Sequence, residues 1–306
     1  MLVVAGNLTL DDTVMPDGRT RMGGIGGDVL YTALGAAIWN TPVGLLGRAG
    51  DDLPTGALDG IEDAGLDCRG LIPVPGPNIH YWVLYEWDGR RHFIRRNPTD
   101  RLDALSPEPE DLPLDYLPDL HAFHVAAIPF DKAERLIRYA ATLPLRPAIS
   151  LDTHEDYVDG YQDRFAALMP LLTAFLPSRE EVALWFGDDD PERRISDLLA
   201  LGPRIVAIKL GADGALIQAH GDPAPQHIPA FASDVVDVTG AGDAFCGGFV
   251  ARMLMGGSPR ESALAGAVSA SFAVERYGSL GLIGVDRTVA NQRLATLSQQ
   301  PSRSNS

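Results

Sequence analysis

The chain has 306 residues, with 41 acidic against 25 basic side chains and a formal net charge of −16 at neutral pH. That balance argues against a nucleic-acid backbone as partner, which calls for clustered Lys and Arg, while a hydrophobic content of 45% supports a substantial core. Only Cys68 and Cys246 occur, no secretory leader precedes the first apolar strand, and no apolar run reaches membrane-spanning length, so the expectation is a cytoplasmic protein with reduced thiols.

In chain order, Leu2 to Ala5 reads as a short strand leading into Gly6-Asn7-Leu8-Thr9-Leu10-Asp11, with Asp12 beside Asp11. Gly23-Gly24-Ile25-Gly26-Gly27-Asp28 then opens an Ala-rich helical run. Its glycines let the backbone approach a polyol closely; Asp28 either accepts hydroxyl hydrogen bonds or caps the helix. Val43 to Gly47 is a strand entering Arg48-Ala49-Gly50-Asp51-Asp52.

Thr13 to Met22 and Asn78 to Arg96 depart from the strand-helix alternation. In the second, Asp88-Gly89 between two apolar-aromatic runs is a hairpin signal. Tyr81, Trp82, Val83, Tyr85 and Trp87 are too many large groups for a small sheet, so one face should meet substrate or another subunit. Arg90, Arg91, Arg95 and Arg96 are either a solvated charge run or a site for an anionic substituent on the substrate.

His121 to Ala126, Ala148 to Leu151, Ala174 to Leu176 and Ile205 to Leu210 continue the strands, the third leading into Ser178-Arg179-Glu180-Glu181, a helix capping box in form. Lys209 and the turn Gly211-Ala212-Asp213-Gly214 close the last of them, the lysine being either solvated or aimed at a phosphate. Strands alternating with helices favour a parallel sheet covered on both faces, an α/β fold in one domain. Ser298 to Ser306 has the composition of a disordered polar tail.

The most informative stretch is Asp237-Val-Thr-Gly-Ala-Gly-Asp243. The residues from Ala232 to Val238 are short and partly β-branched, and Ala244 to Met255 is apolar at helical spacing, so Gly240 to Asp243 is expected at a strand-to-helix junction. Gly240 and Gly242 free the backbone for close approach, the helix start favours negative charge, and Asp243, expected ionised near neutrality, could deprotonate a hydroxyl beside that anion hole. Cys246 is expected to pack rather than to react.

This stretch, extended through Phe245 to Gly248, resembles the second signature of the ribokinase-like sugar kinases of the phosphofructokinase B type; the Gly23–Asp28 block resembles their first. The resemblance implies a three-layer α/β/α fold with a mostly parallel central sheet and a small β lid. It implies one kinase domain over 1–297, with lid segments near 12–22 and 76–97, and a homodimer formed through the lid. It makes Asp243 the base, and Gly240, Ala241 and Gly242 the anion hole. Asp11, Gly24 and Asp28 would bind a sugar or sugar derivative, and Ser178, Lys209, Gly211, Gly214 and Thr239 the ATP. Glu181 would organise Mg²⁺ through water, and main-chain oxygens near Asp237 and Thr239 would hold K⁺. Val238 replaces the family's usual Thr, and Asp28, Ser178 and Val268 each replace its usual Asn. A nucleoside kinase on the same fold and a non-catalytic sugar-binding regulator are the alternatives. A dinucleotide fingerprint after the first strand and a Walker A motif are both missing.

Overall fold

The structure, a computed structural model, describes residues 1–87 and 90–300. Two sheets form, and the sequence explains the division. Strands β1 (Leu2–Ala5), β4 (Val43–Ala49), β5 (Leu66–Pro73), β8 (Ala122–Val125), β9 (Ala148–Leu151), β10 (Ala174–Phe175) and β11 (Ile205–Lys209) are mostly unbroken apolar runs, as a sheet covered on both faces requires. They pair in parallel, and β12 (Ala215–Ala219) and β13 (Gln226–Ile228) extend the edge antiparallel, giving the order β13-β12-β11-β10-β9-β8-β1-β4-β5. Two apolar clusters lie on opposite faces of this sheet: Val4 and Leu45 belong to one, Val3 and Phe123 to the other.

The order reverses beside β1, which has β4 on one side and β8 on the other. A crevice opens at such a switch point, outside the carboxyl ends of the strands. Asn7 follows β1, Asp152 follows β9, and Lys209 ends β11, so all three side chains sit around that crevice. The Ala241–Leu254 helix packs flush against its neighbours: a Cβ on Gly247 would stand 1.9 Å from the Thr32 carbonyl and one on Gly248 2.3 Å from Ser269 Oγ.

The second sheet is the lid, ordered β3-β2-β6-β7 from β2 (Thr9–Val14), β3 (Thr20–Gly26), β6 (Ile79–Tyr85) and β7 (Arg91–Arg95). The expected hairpin forms between β6 and β7, pairing Tyr81 with Arg95 and Tyr85 with Arg91; its Asp88-Gly89 turn lies outside the described residues. Arg96 pairs with Asp12, and His80 with Asp52 at 2.8 Å.

Several expectations require correction. Ala232 to Val238 forms no strand; residues 229–240 run irregularly into the helix, because Val235 and Val236 are exposed and have no sheet edge to join. The Gly23–Gly26 stretch is part of strand β3 rather than a turn. Strands β5, β12 and β13 were not anticipated. Ser298 closes the last helix, Arg287–Ser298, instead of opening the tail, and residues 301–306 lie outside the described residues. Among the described residues, no helix is long and apolar enough to cross a membrane.

Candidate active site

Gly240 is the N-cap of the Ala241–Leu254 helix, with φ +73°. A side chain there is excluded twice, since a Cβ would also stand 2.1 Å from the Tyr31 ring. The helix start leaves the amides of this turn free of intrahelical partners and adds the positive end of the helix dipole. Asp243 lies in that first turn. Burial, reinforced by the Asp152 charge, pushes its carboxyl up to about 7 against the opposing pull of Lys209 and Arg91. The expectation of a fully ionised carboxylate therefore gives way to one about half protonated at neutrality.

Lys209 is not solvated. Its ammonium pairs with Asp152, a carboxylate only 4% exposed, and a Cβ on Gly242 would lie 3.5 Å from its Nζ. Burial works against the charge, but Asp152 holds the lysine firmly protonated. The Cys246 thiol lies 3.4 Å from Asp152 Oδ2 and is pushed up by burial and that carboxylate, so it packs inertly.

Asp11 and Asp12, adjacent in β2, differ in their partners. Asp12 is committed to Arg96 and to the Gly23 N–H, whereas Asp11 Oδ1 is buried with no hydrogen-bond partner. Such an oxygen is stable only if something donates to it. Burial, eased by the Thr9 hydroxyl and reinforced by Asp237, pushes Asp11 up to about 6. Gly24 pairs with Asp11 in the β2–β3 ladder and lines the same cavity. Asp28 is the first helical residue rather than the cap, which is Gly27; its Oδ1 accepts the Asn7 N–H at 2.6 Å. Burial first, and then the charge of Asp243, raises the Asp28 carboxyl well above the usual range.

Ser178 and Glu181 make a complete capping box: the Ser178 hydroxyl accepts the Glu181 N–H and Glu181 Oε2 accepts the Ser178 N–H at 2.6 Å. Burial, opposed by Lys209, pushes Glu181 up to about 8. Gly211 (φ +60°) and Gly214 (φ +93°) shape the turn after β11, and a Cβ on Gly214 would meet the Ile228 carbonyl at 2.0 Å. Val268 is fully buried in the Pro259–Ala273 helix and faces the core. Among the described residues no three His, Cys, Asp or Glu side chains converge as a metal cage.

The loop 237–239 is bound to the lid. The Tyr85 hydroxyl donates to Asp237 Oδ1 and lies 2.8 Å from Thr239 Oγ1, which also accepts Arg91 Nη1 at 3.0 Å. Thr239 thus turns its hydroxyl to the lid rather than into the crevice. Sequence reasoning placed Tyr85 and Arg91 in the lid without this contact, named Asp152 only as a strand end, and missed Arg21, whose Nη1 donates to the Tyr277 carbonyl at 2.7 Å. No local pattern marks those contacts, which join residues 148 to 256 positions apart.

Comparison with known proteins agrees with this geometry. A family model described as pfkB family carbohydrate kinase matches residues 7–282. A cytidine kinase of Thermococcus kodakarensis is 27% identical over 90% of this chain and 97% of its own length. An ATP-dependent ribose-1-phosphate kinase of Halopiger xanaduensis is 30% identical over 76% of this chain and 74% of its own. A crystal structure titled as a ribokinase II in complex with ATP and Mg²⁺ from E. coli superposes with a TM-score of 0.80, covering 96% of this chain and 99% of that one at 20% identity. Fold, signature block and relatives agree, and the chain belongs to the pfkB family of carbohydrate kinases, as a sugar or nucleoside kinase.

Proposed function

We propose that the protein transfers the γ-phosphoryl group of ATP to a hydroxyl of a sugar moiety, with Asp243 as general base. The observation that carries this is the placement of Asp243, raised to about 7, in the first turn of a helix whose Gly240 N-cap and dipole favour an anion, the Ala241 N–H being held only by a 3.3 Å contact with the Val238 carbonyl. A base working near neutral pH is best tuned close to that pH. In the reaction Asp243 takes the hydroxyl proton as the oxygen attacks in line, and the Gly240, Ala241 and Gly242 amides meet charge on the phosphoryl oxygens. Asp11 and Asp28 orient the acceptor through its other hydroxyls, with Gly24 lining their site. Lys209 faces the phosphates from across Gly242, and Ser178, Gly211 and Gly214 shape the nucleotide's path. Glu181, with one carboxylate oxygen left over from its cap, would hold hydrated Mg²⁺ through water, and the metal when bound would offset charge on the phosphates. The domain runs through the Arg287–Ser298 helix, one residue past the expected 1–297.

For the acceptor, a neutral sugar leads over a sugar acid, because Arg96 is committed to Asp12 and Arg91 to Thr239. A nucleoside is the second reading. Tyr81 and Phe93 meet edge to face with centroids 6.0 Å apart, and Tyr157 packs in the same cluster, with both Tyr81 and Asp28 acting on its hydroxyl. Those rings could take a base, as the cytidine kinase relative suggests. The lid face turned away from Tyr85 and Arg91, where Ile94 is 49% exposed opposite Trp82, suits a homodimer.

ADP release from Mg²⁺-ATP, measured over pentoses, hexoses, sugar acids, sugar phosphates and nucleosides, tests the proposal. Turnover on one class that disappears in Asp243→Asn supports it. Folded, ATP-binding protein that is silent on all classes would favour the non-catalytic regulator instead.

A further inference from the structure

Members of the family are expected to hold a monovalent cation on main-chain oxygens near the residues that are here Asp237 and Thr239, and several oxygens around that place already accept hydrogen bonds. Asp237 Oδ1 accepts the Tyr85 hydroxyl and the Thr239 N–H, and Oδ2 accepts the Gly278 N–H at 2.9 Å. The Val274 carbonyl accepts the N–H groups of Val236 and Asp237, and the Val238 carbonyl that of Ala241. The Tyr277 carbonyl is taken by the Arg21 guanidinium at 2.7 Å. Gly278 takes φ +61°, which favours glycine, and lies beside that guanidinium: a Cβ there would stand in ordinary contact, 3.5 Å from Arg21 Nη1.

Between these groups lies a cavity of about 20 Å³ whose wall includes Asp11, Arg21, Asp237 and Thr239. That is space for about one water. Two carboxylates, Asp11 and Asp237, and two guanidiniums, Arg21 on the cavity wall and Arg91 on Thr239, face each other across this loop. A cation added at the Tyr277 carbonyl would share that oxygen with Arg21 and sit against a like charge. Arginine suits the role, because it never deprotonates and holds its donors in a rigid plane.

We infer that the Arg21 guanidinium, seconded by Arg91, stands where a monovalent cation would bind, so that this kinase works without K⁺. The inference rests on the kinase reading for its catalytic part only. Both arginines are carried by lid strands, β3 and β7, so the positive charge reaches the loop beneath the anion hole as part of the lid.

The test compares K⁺ with tetramethylammonium at equal ionic strength, reading thermal stability without any acceptor and turnover with one. The wild type should show no saturable rise in Tm with K⁺, and its kcat should differ by less than about twofold between the two salts. Arg21→Ala should acquire a K⁺-specific Tm rise of about 3 °C at saturation, and a matching dependence of kcat. Arg21→Lys, which keeps the charge, should remain insensitive. A saturable K⁺ response in the wild type, or an Arg21→Ala protein that is folded and indifferent to K⁺, would overturn the inference. The Tm series needs no substrate, so it decides the point even if the kinase reading fails.

Discussion

Replacing Asp243 by Asn should move activity and stability in opposite directions. The carboxyl titrates at about 7 in the folded chain, raised by burial and by Asp152, against 3.8 as its ordinary value. A group raised on folding contributes stability that is complete below the unfolded value and is lost as pH climbs through the folded one. The separation, about three pH units, corresponds to about 4 kcal/mol above pH 7. Asp243 keeps an edge toward the crevice, so about half of this, about 2 kcal/mol, is the working magnitude. Asn carries no such penalty. Urea titrations should therefore show Asp243→Asn more stable than the wild type by about 2 kcal/mol at about pH 8, the gain vanishing as pH falls below the ordinary value of 3.8. The same variant should lose about 10²- to 10⁴-fold in kcat. A stability difference that is flat with pH, or of the opposite sign at pH 8, would refute the account of the burial. Retention of kcat within tenfold would refute the role as base.

Lys209→Met leaves Asp152 buried and unpaired, and should cost about 3–5 kcal/mol in urea titration. Because Lys209 pulls the Asp243 carboxyl down, the acid limb of the kcat/KM profile, which should lie near 7 in the wild type, should move to higher pH; an unmoved limb would count against the coupling. Gly240→Ala forces a Cβ into the Tyr31 ring and an unfavourable φ, so a destabilisation of about 2–3 kcal/mol with a kcat lowered more than tenfold is expected from thermal melts and steady-state kinetics. Tyr85→Phe removes the lid's hydrogen bond to the Asp237 carboxylate and should cost about 1.5–3 kcal/mol; proteolysis or hydrogen exchange should find the β6–β7 hairpin less protected, and equal protection would contradict the latch.

What the sequence made legible was whatever depends on local pattern. Leu2–Ala5 and Ala148–Leu151 were readable as strands because a parallel strand buried on both faces must be apolar throughout. Gly240 and Asp243 were readable because an anion site at a helix start demands a particular order of residues. Strand β5 was hidden by Asp67 and Arg69, which lie at the sheet edge and pair with each other, so its period is mixed. The supposed strand before Gly240 had the right composition and no partner, and strand propensity without an edge to join decides nothing. Contacts such as Arg21 with Tyr277 or Lys209 with Asp152 depend on how distant strands end around one crevice, which follows from topology rather than spacing.

A chain of net charge −16 must still admit a polyphosphate to a crevice that holds Asp11, Asp28, Asp152, Glu181 and Asp243. Burial resolves much of this conflict. With Asp243 at about 7, Glu181 at about 8 and Asp28 raised well above its ordinary value by burial, the resting site carries less negative charge at neutral pH than its composition states. Asp152 is met directly by the Lys209 ammonium. The raised carboxyls are also those with a proposed partner to meet: acceptor hydroxyls for Asp11, still mostly ionised at neutrality, and for Asp28, and hydrated Mg²⁺ for Glu181. An arriving divalent cation favours the ionised form of Glu181, so its proton would leave as the metal-nucleotide binds, and nucleotide affinity should therefore rise with pH through about 8. Calorimetric titration of Mg²⁺-ATP in buffers of different ionisation enthalpy reads that proton directly. A wild-type protein that releases no proton below pH 8, or a Glu181→Gln protein that releases as much as the wild type, would place the metal elsewhere.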